Sequence, residues 1–170
     1  MAAGIASDVD FEKVDFDSLA NAKYYINKGA YGTVFGPFTL KNKASALKQI
    51  FIEPSTANVF KSKVDLKKSI WTSWKHKNLI EIFHVSVMDN AVYLLMEYAS
   101  GGSLRRLLDN SGASVYCKRN VTNWAKQIAD GMLYLHARDI VHRDLKSSNS
   151  KCVIHVLVSK LELQLMRYFT

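Results

Sequence analysis

The stretch His142-Arg143-Asp144-Leu145-Lys146-Ser147-Ser148-Asn149 sets a carboxylate, an ammonium group and an amide within eight residues. Asp144, Lys146 and Asn149 can between them take a proton, neutralise an anion and hold a cation, a set suited to phosphoryl-transfer chemistry. Just upstream, Val121, Trp124, Ala125, Ile128, Met132 and Leu135 recur at three- and four-residue steps. That period predicts an amphipathic helix of about four turns whose apolar stripe is core. Met132, on that face, is read as packing and not as a cofactor contact.

Toward the N-terminus the pattern changes to strands. From Tyr24 to Gly36, β-branched and aromatic residues flank glycines, which predicts two strands joined by a flexible turn. Ala46 to Ile50 reads as a third. Asn58 to Lys75 contains no Gly or Pro, and Val64, Ile70, Trp71 and Trp74 fall at roughly helical spacing, so a helix is expected there. Two further strands fit Ile80 to Val87 and Val92 to Glu97, around the turn-forming pair Asp89 and Asn90. The linker Ala99-Ser100-Gly101-Gly102-Ser103 then divides a strand-rich part from a helical part, in which Leu104, Leu107 and Leu108 open a short helix. Residues 1–18 mix small residues with Asp8, Asp10, Asp15 and Asp17, the composition of a flexible lead-in.

The 170 residues are 48% apolar and 11% aromatic, which argues for one globular domain and against a disordered chain. Twenty-three Lys and Arg face 15 Asp and Glu, a net charge of +8. The basic residues come in short sets such as Lys61, Lys63, Lys67 and Lys68, without the long aromatic-interleaved block of a nucleic-acid binder, so they read as solvated charge. Cys117 and Cys152 form neither a CxxC pair nor a disulfide framework, which fits a reducing compartment. The opening residues lack the basic-then-apolar order of a signal peptide, and no run approaches the roughly 18 apolar residues of a membrane span. A cytoplasmic protein without membrane contact is expected. His84 and His155 have no acid or cysteine beside them in sequence and are read as ordinary strand or surface residues.

Four features, in order, resemble the protein-kinase catalytic domain from about Tyr24 to Asn149. The turn from Asn27 to Val34 fits GxGxxGxV at Gly29, Gly32 and Val34, with Asn27 in place of the first glycine. Taken alone it reads equally as a hairpin turn. Glycines there let backbone N–H groups approach triphosphate oxygens, and Asn is the non-glycine residue that best tolerates positive φ. Ala46-Leu47-Lys48 resembles the AxK strand, which implies that Lys48 pairs the α- and β-phosphates. Leu94 to Leu104 is similar to the segment joining the two lobes. The resemblance implies Met96 as gatekeeper, Glu97 and Ala99 as the hinge carbonyl and amide that meet adenine, and Val34, Ala46 and Met96 as the lining of its cleft. HRDLKSSN resembles the catalytic loop: Asp144 is the base, Lys146 neutralises the transferred phosphoryl group, Asn149 binds magnesium, and His142 and Arg143 anchor the loop.

Two departures bear on activity. Counting back from His76-Lys77-Asn78-Leu79, similar to the segment that follows the family's αC helix, places Lys67 where the family has the glutamate that holds the strand lysine. Asp65, the one acid in the expected helix, can stand in after a small register shift. No Asp follows Asp144, no Gly follows Gly131 and no Pro follows Pro54, so neither a DFG nor an APE segment is present. Residues 150–170 alternate as one or two strands, in the place of the hairpin after the catalytic loop. Their low charge makes them an aggregation hazard if uncovered, and they suggest a truncated or alternatively ended kinase product.

The expected fold is thus α+β and protein-kinase-like: an antiparallel-sheet N-lobe with helix αC plus an incomplete helical C-lobe. Residues 1–18 are the flexible segment, 19–98 the N-lobe, 99–149 the hinge and the first part of the C-lobe, and 150–170 a tail outside the family. Among kinases, MEYASGGSL, YLH and IVHRDLKSSN most resemble MAP kinase kinase kinases of the TGF-β-activated and mixed-lineage groups. The resemblance implies a serine/threonine kinase that uses ATP and Mg2+ on a protein substrate, a MAP kinase kinase, in stress or immune signalling, with an adaptor or partner kinase beside it. Without DFG and APE, weak or no activity is expected. The alternative is a non-catalytic kinase-like module that binds nucleotide or a partner.

Overall fold

Alternation of β-branched and aromatic residues builds the first of two structural units, which comprises the chain up to Trp74 together with Glu81–Tyr98. The computed structural model describes residues 3–4, 15–29, 32–88, 90–110, 117–153 and 158–161. The sheet contains β1 (Ala3–Gly4), β2 (Tyr25–Gly29), β3 (Gly32–Leu40), β4 (Lys43–Phe51), β5 (Ile82–Met88) and β6 (Ala91–Glu97). Its order is β1-β3-β4-β6-β5, with β2 also paired to β3. All pairings are antiparallel except the two-residue β1, which runs parallel to β3. Lys41 and Asn42, both at positive φ (47° and 59°), close β3 onto β4 in a two-residue turn whose twist suits the strands.

One face of this sheet forms a core of Phe35, Phe38, Leu40, Leu47, Tyr93 and Leu95. Phe35 and Phe38 are three residues apart, yet both are buried, because the register shifts between them at Gly36-Pro37. Pro37 has no N–H for a ladder, which suits it to such a bulge.

The end of the expected flexible lead-in proves to be part of this core. Helix α1 (Phe16–Leu19) buries Phe16 and Leu19, and the Phe16 ring stacks on His84 and Tyr93 at centroid distances of 5.7 and 5.5 Å. Asp15 holds the turn by accepting the Ser18 backbone N–H at 3.2 Å. Burying two such side chains contributes roughly 1.5–3 kcal/mol each, which offsets part of the entropy lost in ordering the segment. Asp15 and Asp17 flank Phe16 in sequence, while Asp8 and Asp10 lie outside the described residues.

Helix α2 (Ala57–Ser73) packs beside β5 and buries Val64 and Trp71. Its limits, and those of the strands, fall within a few residues of the sequence reading. Asn90 lies in the expected turn between β5 and β6; Asp89 lies outside the described residues.

The second unit comprises Lys75–Ile80 and the chain from Ala99 onward. Its elements are α3 (Leu104–Asn110), α4 (Lys118–His136) and an antiparallel hairpin of β7 (Ser150–Val153) and β8 (Val158–Leu161). The hairpin is in the place expected for one after the catalytic loop; His155, Leu163 and Leu165 lie outside the described residues. Leu104, Trp124 and Cys152 form the core, with Leu107, Leu108 and Ile128 packed against it.

The α4 stripe is narrower than its period suggested. Trp124, Gly131 and Leu135 are buried and Ile128 and Met132 half-buried, but Val121 is 45% exposed and Ala125 is exposed as well. Among the described residues, a two-turn helix and a hairpin of two four-residue strands are too small to cover the wider face. Gly101 and Gly102, read as linker, serve the packing: Gly101 donates its N–H to the Cys152 carbonyl at 2.9 Å, and Cys152 donates to the Gly102 carbonyl at 2.8 Å. A Cβ on Gly101 would lie 2.6 Å from the Cys152 oxygen, so only glycine allows this approach.

Candidate functional site

In the first unit, cross-strand pairing brings the sequence-identified residues onto one face. Asn27 pairs with Val34 and Gly29 with Gly32, Val34 pairs with Lys48, and Ala46 pairs with Met96. Residues two apart on a strand share a face, so Val34, Ala46, Lys48 and Met96 all point away from the Phe35–Leu47 core. Ala46, Met96 and even Lys48, at 6% exposure, are buried. Glu97 donates its N–H to the Glu81 carbonyl at 2.9 Å, and in the second unit the Ala99 carbonyl accepts the Gly102 N–H at 3.0 Å.

The glycine-rich turn uses its glycines unequally. Gly32 has φ of 128°, and a Cβ there would fall 2.2 Å from the Gln49 carbonyl oxygen, whereas a Cβ on Gly29 would meet nothing within 4 Å. Asn27 is exposed and does not adopt positive φ, so its tolerance of that region is not what suits it to the position. Ala30 and Tyr31 lie outside the described residues.

Helix phase settles which α2 residue faces inward. Phe60, Val64, Lys67 and Trp71 lie on the buried or half-buried side, at three- and four-residue steps. Asp65 is exposed and paired with Lys68, Nζ to Oδ1 3.1 Å. Asp65 is thus turned to solvent, while Lys67 lies half-buried on the side that carries Val64 and Trp71.

The catalytic-loop residues do converge. Lys146 Nζ lies 3.0 Å from Asp144 Oδ2. Asn149 Nδ2 donates to the same Oδ2 and to the Asp144 carbonyl, each at 2.8 Å. The Asp144 side chain is 12% exposed and Asn149 is buried. The loop is tightened at Arg143, whose φ of 62° lets the Asp144 N–H reach the His142 carbonyl at 2.9 Å. A non-glycine residue held there costs roughly 1–3 kcal/mol, which the surroundings must offset. Buried His142, whose Nδ1 also receives the Asp144 N–H at 3.3 Å, and the Arg105 N–H, donated to the Ser147 carbonyl at 3.0 Å, hold the loop in place. The result is a carboxylate fixed by a cation and an amide, able to accept a proton from a hydroxyl brought to it.

Residues 21–157 match the protein kinase domain family. The chain belongs to that family. It is 32% identical to human mitogen-activated protein kinase kinase kinase 19 over 134 residues, 73% of this chain and 9% of the relative. Its identity to mitogen-activated protein kinase kinase kinase 7 of Drosophila melanogaster is also 32%, over 80% of this chain and 20% of the relative. With mitogen-activated protein kinase kinase kinase YODA of Arabidopsis thaliana it is 26% over 85% of this chain and 16% of the relative. The kinase chain thus spans a fifth or less of the length of these curated relatives. The family match reaches residue 157, so the start of the tail expected outside the family falls within it.

Protein kinases generally use ATP with Mg2+. The residues present fit that pair in part. Asn149 gives its Nδ2 to Asp144, which turns its Oδ1, a hard oxygen donor of the kind Mg2+ takes, to the other side. Among these 170 residues no aspartate follows Asp144. Among the described residues no helix of the kinase is long and apolar enough to cross a membrane.

Burial pushes the Cys152 thiol above its ordinary range, while Cys117 is exposed. Because the unfolded chain ionises first, this group contributes stability fully below about pH 9, and the contribution is lost as pH rises through the folded value. At pH 8 iodoacetamide is expected to modify one cysteine, Cys117, and denaturant to release the second; mass spectrometry of the digested kinase checks both.

Proposed function

We propose that this chain carries the nucleotide-binding strands (residues 19–98) and the catalytic loop (within 99–149) of a serine/threonine kinase of MAP kinase kinase kinase type. Such a kinase acts in the cytoplasm, in stress or immune signalling, and transfers the ATP γ-phosphate to a Ser or Thr of a MAP kinase kinase. The observation that carries the reading is the convergence of Lys146 and Asn149 on the Asp144 carboxylate. Asp144 accepts the proton of the substrate hydroxyl, Lys146 offsets charge on the phosphoryl group, and Asn149 holds the metal. Lys48 meets the nucleotide's phosphates beside Asn27, Gly29 and Gly32. Val34, Ala46 and Met96 contact the base, with Glu97 and Ala99 supplying main-chain hydrogen bonds. When bound, Mg2+-ATP supplies the phosphoryl group and the cation that spreads its charge.

Lys67 on the inward side of α2 favours a second reading, a non-catalytic module that binds nucleotide or a partner kinase. Titration with a fluorescent ATP analogue in Mg2+ tests the nucleotide binding that the first reading requires and the nucleotide-binding form of the second shares. Saturable binding, weakened at least tenfold by Lys48→Met and little changed by Asp144→Asn, supports them. Binding indifferent to Lys48→Met contradicts them. Phosphoryl transfer, treated in the Discussion, separates the two.

A further inference from the structure

Within the second unit, residues 101–105 are tied by main-chain bonds to residues 147–152. Gly101 donates its N–H to the Cys152 carbonyl at 2.9 Å, Cys152 returns one to the Gly102 carbonyl at 2.8 Å, and Arg105 donates to the Ser147 carbonyl at 3.0 Å. Ser103 and Lys151 form an antiparallel bridge between the same two segments. Asn149 lies between the tied positions, two residues after Ser147 and three before Cys152. Its side chain is buried, and both bonds of its Nδ2 run back to Asp144.

We propose that this ladder positions Asn149 for the divalent cation, with Gly101 as the positioning residue. The proposal rests on the reading of Asn149 as a metal ligand and adds what holds that ligand in place. A Cβ on Gly101 would lie 2.6 Å from the Cys152 oxygen and 2.9 Å from its carbonyl carbon, well inside the 3.4 Å at which ordinary contact begins. Both atoms are main chain, so the strand itself has to give way. The Gly101 side is braced: Gly102 donates to the Ala99 carbonyl at 3.0 Å, and Ser103 Oγ accepts the Arg106 N–H at 3.2 Å where α3 begins. Leu104, the first residue of α3, is buried with Trp124 and Cys152. A displacement at Cys152 therefore passes along β7 to Asn149, whose two 2.8 Å bonds tolerate little misalignment. A metal-binding oxygen depends on the bonds that orient its side chain, and here those bonds depend on the ladder.

NMR of the Asn149 side-chain amide in the isotope-labelled full chain tests the assignment, the signal being identified by its loss in Asn149→Ser. In the wild type its protons are expected to exchange slowly and to broaden as Mn2+ is added with ATP. Gly101→Ala is expected to speed that exchange about tenfold and to raise the Mn2+ concentration for half broadening by a similar factor. Gly102→Ala is the control: its φ of 71° strains an alanine, but the nearest atom to the new Cβ is Arg106 Cδ at 3.7 Å, so β7 is not pushed. It is expected to change both readouts less than about twofold. Should Gly101→Ala not fold, the wild type decides, because coupling is reciprocal: adding Mg2+ to the ATP-bound chain is expected to slow exchange of the Gly101 and Arg105 backbone amides about fivefold. Gly101→Ala matching the wild type, or Gly102→Ala shifting both readouts equally, overturns the proposal alone. So do backbone amides indifferent to Mg2+ in a chain whose Asn149 amide Mn2+ broadens. Mn2+ that leaves the wild-type Asn149 amide sharp overturns the metal reading and the proposal with it.

Discussion

Replacing Gly32 by alanine is expected to destabilise the first unit by about 2–5 kcal/mol, a loss of roughly 5–20 °C in Tm for a chain of this size. Two independent costs add. A φ of 128° is one that L side chains rarely adopt, and the new Cβ would sit 2.2 Å from the Gln49 carbonyl oxygen. Neither can be relieved without shifting β3 against β4, whose pairing just after Gly32 is fixed by Thr33↔Gln49 and Val34↔Lys48. Gly29→Ala, in the same motif but with open space around it, is expected to change stability by no more than about 0.5 kcal/mol. Thermal unfolding of the two variants side by side checks the contrast. Equal effects would show that the motif, and not the local geometry, sets the need for glycine.

Phosphoryl transfer by these 170 residues is expected to be slower than that of an ordinary protein kinase by a factor on the order of a thousand or more. Typical kinases turn over at about 1–100 per second, and each tenfold loss corresponds to about 1.4 kcal/mol of lost transition-state stabilisation. Positioning and electrostatics supply nearly all of this catalysis. The chain offers Asn149 for the metal but no later aspartate, and it places Lys67, not an acid, on the side of α2 that faces inward. Lys146 and Asn149 orient the Asp144 carboxylate, so the expected loss comes from the metal and phosphate side. Transfer of labelled γ-phosphate to a recombinant MAP kinase kinase is therefore expected to sit at background, with Asp144→Asn changing nothing. Turnover near one per second that Asp144→Asn abolishes would contradict this and favour the catalytic reading outright.

How much of this was legible in the sequence depended on whether a feature was local. The strand at Ala46–Ile50 and the helix around Val64 and Trp71 were legible because their periods are set by the face they bury, and that face is written in consecutive residues. Phe16 and Leu19 were not, since a four-residue helix offers no window for a period and its acids dominate the composition. The bulge at Gly36-Pro37 depends on the partner strand and left no signal beyond the dipeptide itself. At the candidate site, the identities of Asp144, Lys146 and Asn149 were plain. Their convergence depends on the positive φ of Arg143 and the burial of His142, which only the folded loop reveals. The choice between Asp65 and Lys67 turned on helix phase, and two residues of offset carry a side chain from the inward side to solvent. Asn27 does not adopt positive φ, so tolerance of that region does not account for it, and sequence alone could not show the backbone there.

The central claim is that these residues form a folded kinase unit whose Lys48 face takes Mg2+-ATP. Thermal unfolding of the purified chain with and without saturating ATP and Mg2+ tests it most directly, since a ligand that binds only the folded state raises the midpoint by mass action, by about 2.7 kcal/mol at a hundredfold excess over Kd. The account predicts one cooperative transition or two, with a midpoint raised by the nucleotide in the wild type and unmoved by it in Lys48→Met. A cooperative transition that ATP and Mg2+ leave where it was would contradict the account.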